Sequence, residues 1–250
     1  MTRTIALFAL SLASASSLAG PRDLQMRTID FEAGTIELHN FGSADIDLAG
    51  HRFCSHDENE VRRYTGSLPS RIVEPGTSVT IHFNNDGVGI DAINVTDIPG
   101  FFATPFDNGA YAIQIYFPPV SFGDGATIAD HIQWSINGED NTSADERSDE
   151  AENGGVWTDQ TTWVATDAFT TIIRLADDTG GELHGPEDYV TLPIAECAAD
   201  VNGDTVLDIF DVLSFLGLLD AGDLLADWNL DWTIDIFDVL SFLGDFDAGC

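Results

Sequence analysis

The chain has 250 residues, with 43 acidic side chains against 9 arginines and no lysine, for a net charge of −34. A field of that sign repels nucleic acid and anionic lipid, which excludes a nucleic-acid function and favours cations or cationic partners. An apolar content of 44% with 16 Phe and 5 Trp is enough for a packed core, so general disorder is excluded as well.

The first nineteen residues have the layout of an export signal: Arg3, the apolar run from Ile5 to Leu10, then small residues with cleavage positions after Ala15 or Ala19. The apolar run is far shorter than the ~20 residues of a membrane span. The expected location is therefore secreted or cell-surface, with no membrane span. Self-repulsion of the mature chain would be relieved by a salty medium or by bound cations.

From Thr28 to about Ala195 the pattern is strand-like, and residues 20–195 are expected to form one β domain. Period-two runs occur at 35–39, 44–48, 77–83 and 111–117, with further candidates at 126–128, 131–134, 161–165 and 169–175. Turn chemistry separates them at 40–43, 74–76, 84–87 and 106–109. No helical period of any length appears here, so a sandwich or barrel is expected. Residues 139–152 carry seven acids against one arginine and read as a solvated, mobile loop.

Six histidines and three cysteines offer little catalytic signal. His51 and His56 flank Cys54, but no His-Glu-x-x-His spacing, Gly-x-Ser-x-Gly elbow or phosphate-binding glycine loop is present. Cys197 and Cys250 bracket the acidic C-terminal segment and suggest a disulfide clasp, leaving Cys54 as a buried thiol or an interchain partner. Trp157 and Trp163 could be either a sugar-binding platform or core.

Ile36-Glu37-Leu38-His39-Asn40-Phe41-Gly42, Ile46-Asp47-Leu48-Ala49-Gly50, Glu74-Pro75-Gly76 and Asp130-His131-Ile132-Gln133-Trp134 occur in that order. Over about residues 28–176 this resembles the lamin-tail domain. The resemblance implies an immunoglobulin-like β-sandwich with an accessory or adhesion role and no catalytic residues.

The most specific feature is an internal repeat: residues 200–217 align without gaps on residues 227–244, with thirteen of eighteen positions identical. Oxygen-bearing side chains recur at loop positions 1, 3, 5, 9 and 12. They are Asp200, Asn202, Asp204, Asp208 and Asp211, then Asp227, Asn229, Asp231, Asp235 and Asp238. A twelve-residue loop with these offsets supplies the hard oxygens calcium requires, and the position-7 carbonyls of Val206 and Thr233 add one each. Two calcium ions are expected, their binding coupled to folding. Negative charge at a helix N-terminus would account for Asp208, Asp211 and their counterparts, but not for Asp-x-Asn-x-Asp twice. Position 6, where a sharp turn prefers glycine, holds Thr205 and Trp232, and the departure weakens the second site more.

After each loop, Ile-Phe-Asp-Val-Leu-Ser-Phe-Leu at 209–216 and 236–243 has helical spacing. Ile209, Val212, Leu213 and Leu216 and their counterparts are expected to pack between the helices, with Leu218, Leu219, Leu224 and Leu225 between and Gly217 and Gly244 as C-caps. This module, residues 196–250, resembles the dockerin family of secreted bacterial proteins. The resemblance implies a cohesin-like protein partner contacted along the helices and at loop positions 10 and 11. Here those positions hold Ile209-Phe210 and Ile236-Phe237 rather than Ser/Thr pairs.

The fold class expected is thus mainly β, an immunoglobulin-like sandwich followed by a small α-helical duplicated calcium-loop module. The function expected is a non-catalytic secreted protein with a calcium-stabilised docking module. The alternative is a carbohydrate-binding protein or polysaccharide-acting enzyme tethered by that module.

Overall fold

A computed structural model describes residues 20, 22–83, 93–98, 106–145, 147–176, 180–193, 199–202, 206–229 and 231–249. The expected export signal at 1–19, the turn at 84–87, Asp204, Thr205, Cys197 and Cys250 lie outside the described residues.

The strands are β1 Leu24–Asp30, β2 Thr35–Asn40, β3 Ile46–Asp47, β4 Arg52–Asp57, β5 Arg62–Tyr64, β6 Ile72–Val73, β7 Ser78–His82, β8 Ile93–Asn94, β9 Tyr111–Tyr116, β10 Ile128–Ile136, β11 Val164–Thr166, β12 Thr170–Leu175 and β13 Tyr189–Pro193. The α-helices are α1 Ser148–Gly154, α2 Ile209–Ala221 and α3 Ile236–Ala248. One sheet runs β13-β12-β1-β2-β7-β8, a second β11-β10-β9-β4-β5, and β3 pairs with β6 alone. Most neighbours are antiparallel; β7–β8 and β10–β11 are parallel.

One apolar core serves both large sheets, with Leu24, Met26, Ile36 and Leu38 from the first and Phe53, Ile113, Ile115 and Trp134 from the second. Trp134 stacks on Tyr111 with ring centroids 5.3 Å apart and donates its indole N–H to the Asp107 carbonyl at 2.8 Å, so its one polar group is satisfied in the interior. The period-two runs at β2, β7, β9 and β12 form as their alternation requires. β1 and β4 lack clean alternation because most of their residues, polar ones included, are buried, which blurs the contrast between their two faces.

The expected fold class is corrected: the described residues form a mixed α/β arrangement of three sheets and three α-helices, not a sandwich followed by a purely helical module. The departure begins at residues 139–152, where α1 and a buried Ala144 replace the expected mobile loop. The face of β9 and β10 turned away from the apolar core carries Gln114, His131 and Gln133, all buried. Buried amides and imidazoles need partners, and the segment around α1 provides them. Ser148 Oγ donates to Gln133 Oε1 at 2.5 Å, and Gln133 Nε2 donates to the carbonyls of Gln160 and Thr162 at 2.9 and 2.8 Å. The acidic side chains of α1 remain outward while its buried Ser148 and Ala151 face the sheet. Trp157 and Trp163 are buried by the same segment, 1% and 3% exposed, so neither ring is a sugar platform.

His131 sits inside this layer as a neutral imidazole, its Nδ1 accepting from Gln114 Nε2 at 2.9 Å and its Nε2 donating to Gln133 Oε1 at 3.0 Å. Burial pushes its pKa down from 6.5 to about 4. The unfolded chain takes up this proton near 6.5 and the folded chain does not. Stability from this group is therefore complete above pH 6.5 and falls as pH drops toward 4, by on the order of 3 kcal/mol. Urea denaturation at pH 7 and pH 4.5 is expected to show that loss, and His131→Gln to flatten it; equal pH slopes in both chains would refute the assignment.

The expected disulfide finds no support: none is present among the described residues, where Cys54 is a buried thiol within β4, and Cys197 and Cys250 lie outside them. Cys54 is enclosed because its strand is paired on both sides, to β5 and β9.

Candidate calcium loops and docking face

The repeat folds as two copies of one unit. Asp208 and Asp235 are N-caps, accepting from the amides of Phe210 and Phe237 at 2.8 and 2.7 Å. Asp211 and Asp238 reach back as capping-box partners to the amides of Asp208 and Asp235, both at 2.8 Å. Their other oxygens accept from Asn202 and Asn229 N–H, both at 3.2 Å. The backbone amide of Asp208, above all, holds the Asp211 carboxyl below the usual carboxylate range. Positions 9 and 12 therefore close each loop onto its helix, in matching geometry.

The helices run past Gly217 and Gly244, which are not caps. They end at Ala221 and Ala248, with Gly222 taking the left-handed C-cap at φ +67°. Their mutual contact also differs from expectation. Phe215 and Phe242 stack at 4.2 Å with planes 6° apart, and Trp228 sets its edge against both at 5.5 and 5.1 Å. Leu218, Leu219, Val212 and Val239 pack around them. Ile209, Leu213 and Leu216, and equally Ile236, Leu240 and Leu243, are exposed. Phe210 is 60% exposed and Phe237 59%. At 100° per residue the exposed stripe of α2 centres roughly opposite Phe215, so each helix carries an apolar face that the fold leaves outside.

In the second loop every candidate is described. Asp227 Oδ1 accepts from Asp231 N–H at 3.0 Å and Oδ2 from Trp232 N–H at 2.8 Å. Asn229 Oδ1 also accepts from Asp231 N–H, at 2.9 Å, and its Nδ2 donates to Asp231 Oδ2 at 2.9 Å. Asp231 Oδ1 accepts from Thr233 N–H at 2.9 Å. Trp232 adopts φ +69°, the left-handed turn that position 6 of such a loop requires. In the first loop the ends, Asp200, Asn202, Val206, Asp208 and Asp211, are described and Asp204 is not. Among the described residues, no three His, Cys, Asp or Glu side chains converge as metal ligands would. That includes Asp227, Asp231, Asp235 and Asp238, as well as His51, His56 and Cys54.

The sequence reading did not anticipate two arginines. Arg27 on β1 and Arg174 on the neighbouring strand β12 set their guanidinium carbons 3.4 and 3.7 Å from the centroid of the Trp232 ring. Two such groups cannot share one ring face without colliding, so one covers each side. Arg174 also forms an ion pair with Asp227, both side chains buried. Arg27 lies 3.8 Å from Glu37. A cleft of about 390 Å³ lined by Arg27, His39, Phe41, Asp231 and Trp232 follows this seam. The one available hint was Trp232 itself, a large ring where local geometry asks for glycine.

Comparison with protein-family models finds no match for the chain, and comparison with curated proteins finds none either. Among the described residues, no helix is long and apolar enough to cross a membrane.

Proposed function

We propose that this chain is a non-catalytic secreted or cell-surface protein that binds another protein through its C-terminal helix pair. That pair is a dockerin-like module organised by calcium in the loop from Asp200 to Asp211. The sheets of residues 20–195 serve as the structural or recognition part it is carried with, in keeping with the lamin-tail resemblance. The observation that carries the reading is the pair of exposed apolar stripes led by Phe210 and Phe237, repeated at equal exposure on α2 and α3. A contiguous apolar face of this kind on a strongly acidic protein marks a protein interaction site. The equality of the two copies means that the surface was duplicated together with the loops. A partner of cohesin-like character, with an apolar groove rimmed by basic groups, fits both the stripes and the net charge.

Asp204 and the position-7 carbonyl of Val206 would complete the donor set of the first loop. The ion would supply charge compensation for its carboxylates, while Asp211 fastens the loop to α2 through the amides of Asp208 and Asn202. The test is capture of a partner from exported proteins of the producing cell by the full chain, with and without chelator. Phe210→Asp with Phe237→Asp is expected to lower partner affinity at least tenfold while the helical circular dichroism is kept. Capture that survives both changes, or that chelator leaves untouched, refutes the reading; hydrolysis of a polysaccharide by the chain would favour an enzyme instead.

A further inference from the structure

We propose that the second loop is not a calcium site but an anchor, in which Arg174 supplies the cation and Trp232 the plug that fixes the helix pair to the six-stranded sheet. The proposal deepens the functional reading above, because it assigns the calcium of the module to the first loop alone.

Three observations carry it. The first is charge. Asp227 stands at position 1, the ligand around which such a loop closes, and it is buried against the buried guanidinium of Arg174. Each of these charges offsets the burial of the other, helped by the amides of Asp231 and Trp232 on Asp227. A divalent ion on the same carboxylate would lie roughly 5 Å from the guanidinium, since calcium sits about 2.4 Å from its oxygens. The two cations would then repel each other across a carboxylate that is itself buried.

The second observation is direction. Asp227 turns Oδ1 to the amide of Asp231 and Oδ2 to the amide of Trp232 and to Arg174, and Asp227, Asp231, Asp235 and Asp238 do not gather as metal ligands would. The loop is thus closed by its own N–H groups and by one protein cation.

The third is Trp232. At φ +69° glycine is the residue without strain, and a bulky side chain there is costly. Its ring is held between Arg27 and Arg174, two strands of the sheet that also pair with each other. A cation–π contact on each face is what a half-buried indole between two guanidiniums gains. The residue that weakens a calcium turn is the same residue that seats the module.

The experiment counts calcium bound to the chelator-stripped full chain by equilibrium dialysis with calcium chloride, for the wild type, Asp200→Asn and Arg174→Met. The expected result is one ion for the wild type, none for Asp200→Asn, and two for Arg174→Met, where the unpaired Asp227 recruits a metal. Two ions in the wild type, one retained by Asp200→Asn, or no gain in a folded Arg174→Met chain would overturn the anchor. If Arg174→Met fails to fold by circular dichroism, the first two counts still decide. A wild type that binds none while Arg174→Met binds one supports the anchor and sinks the calcium reading of the first loop; no ion in either sinks both.

Discussion

Phe242→Ala is expected to unfold the C-terminal helix pair while leaving the sheets folded. Phe242 stacks on Phe215 and meets the edge of Trp228, and among the described residues the fully enclosed part of this core is Ala199, Phe215, Ala226 and Phe242. Removing a buried phenyl ring costs about 3–5 kcal/mol through lost transfer energy and the cavity left behind. A core this small collapses poorly around the gap, because the residues packed around Phe215 and Phe242, Trp228 and Phe246 among them, are themselves only partly buried or held in the same ring cluster. Circular dichroism should show loss of the helical signal of α2 and α3, with the near-ultraviolet bands of Trp134 and Tyr111 retained. A helix-pair melting temperature within a degree of wild type would mean that the stacked rings are not what holds the module. The contrast is Leu213→Ala, on the exposed stripe, for which a change within about 0.5 kcal/mol is expected.

The second large effect is expected at Gly125, beneath α1. A Cβ there would come 2.0 Å from the Glu150 carbonyl oxygen and 2.9 Å from the Gly154 nitrogen, and a Cβ on Gly154 would come 2.5 Å from the Gly125 carbonyl. All three obstacles are backbone, so no side-chain rotation relieves them, and Gly125→Ala must push α1 away from the sheet. Overpacking of this kind costs about 1–3 kcal/mol and more when backbone must move. Here the movement also breaks the Ser148–Gln133 hydrogen bond and exposes the layer that holds His131. The signature is faster hydrogen exchange at the amides of Ala151 and Val156 together with a lower urea midpoint. Unchanged exchange there would show that the close approach is slack rather than structural.

Much of the molecule was legible before any coordinates. β2, β7 and β12 stand out because one face of each meets apolar core and most of the alternate residues do not, and β9 because apolar and polar residue types alternate along it even though all six are buried. The duplicated loops stand out because Asp-x-Asn-x-Asp followed by a capping aspartate is a local arrangement, set within twelve residues by backbone amides. β1 and β4 were not legible, because buried polar residues such as Gln25, Arg27, Ser55 and His56 blur the contrast between their two faces; β13, mostly half-buried, shows no clear alternation either. α1 was missed for a related reason: seven residues are too short for a helical period, and a charge-rich stretch reads as solvent-exposed even when its Ser148 and Ala151 point inward.

The helix faces separate what is local from what is not. Helical spacing placed Ile209, Leu213 and Leu216 on one side of α2, and that side exists; which side the partner helix covers is not encoded in spacing, because Phe215 lies on an apolar face too. The amino-acid sequence alone determined the export-signal pattern, the acidic field, the major strands and the two capped loop–helix units, all of which follow from interactions within a dozen residues. Only the tertiary structure decided that α1 covers a polar sheet face, that Phe215 and Phe242 rather than the isoleucines form the module's core, and that Arg27 and Arg174 close on Trp232. Those outcomes depend on contacts between residues from 15 to 205 positions apart along the chain, as for Ser148 with Gln133 and Arg27 with Trp232, or on a choice between two apolar faces of one helix, and neither leaves a trace in local pattern.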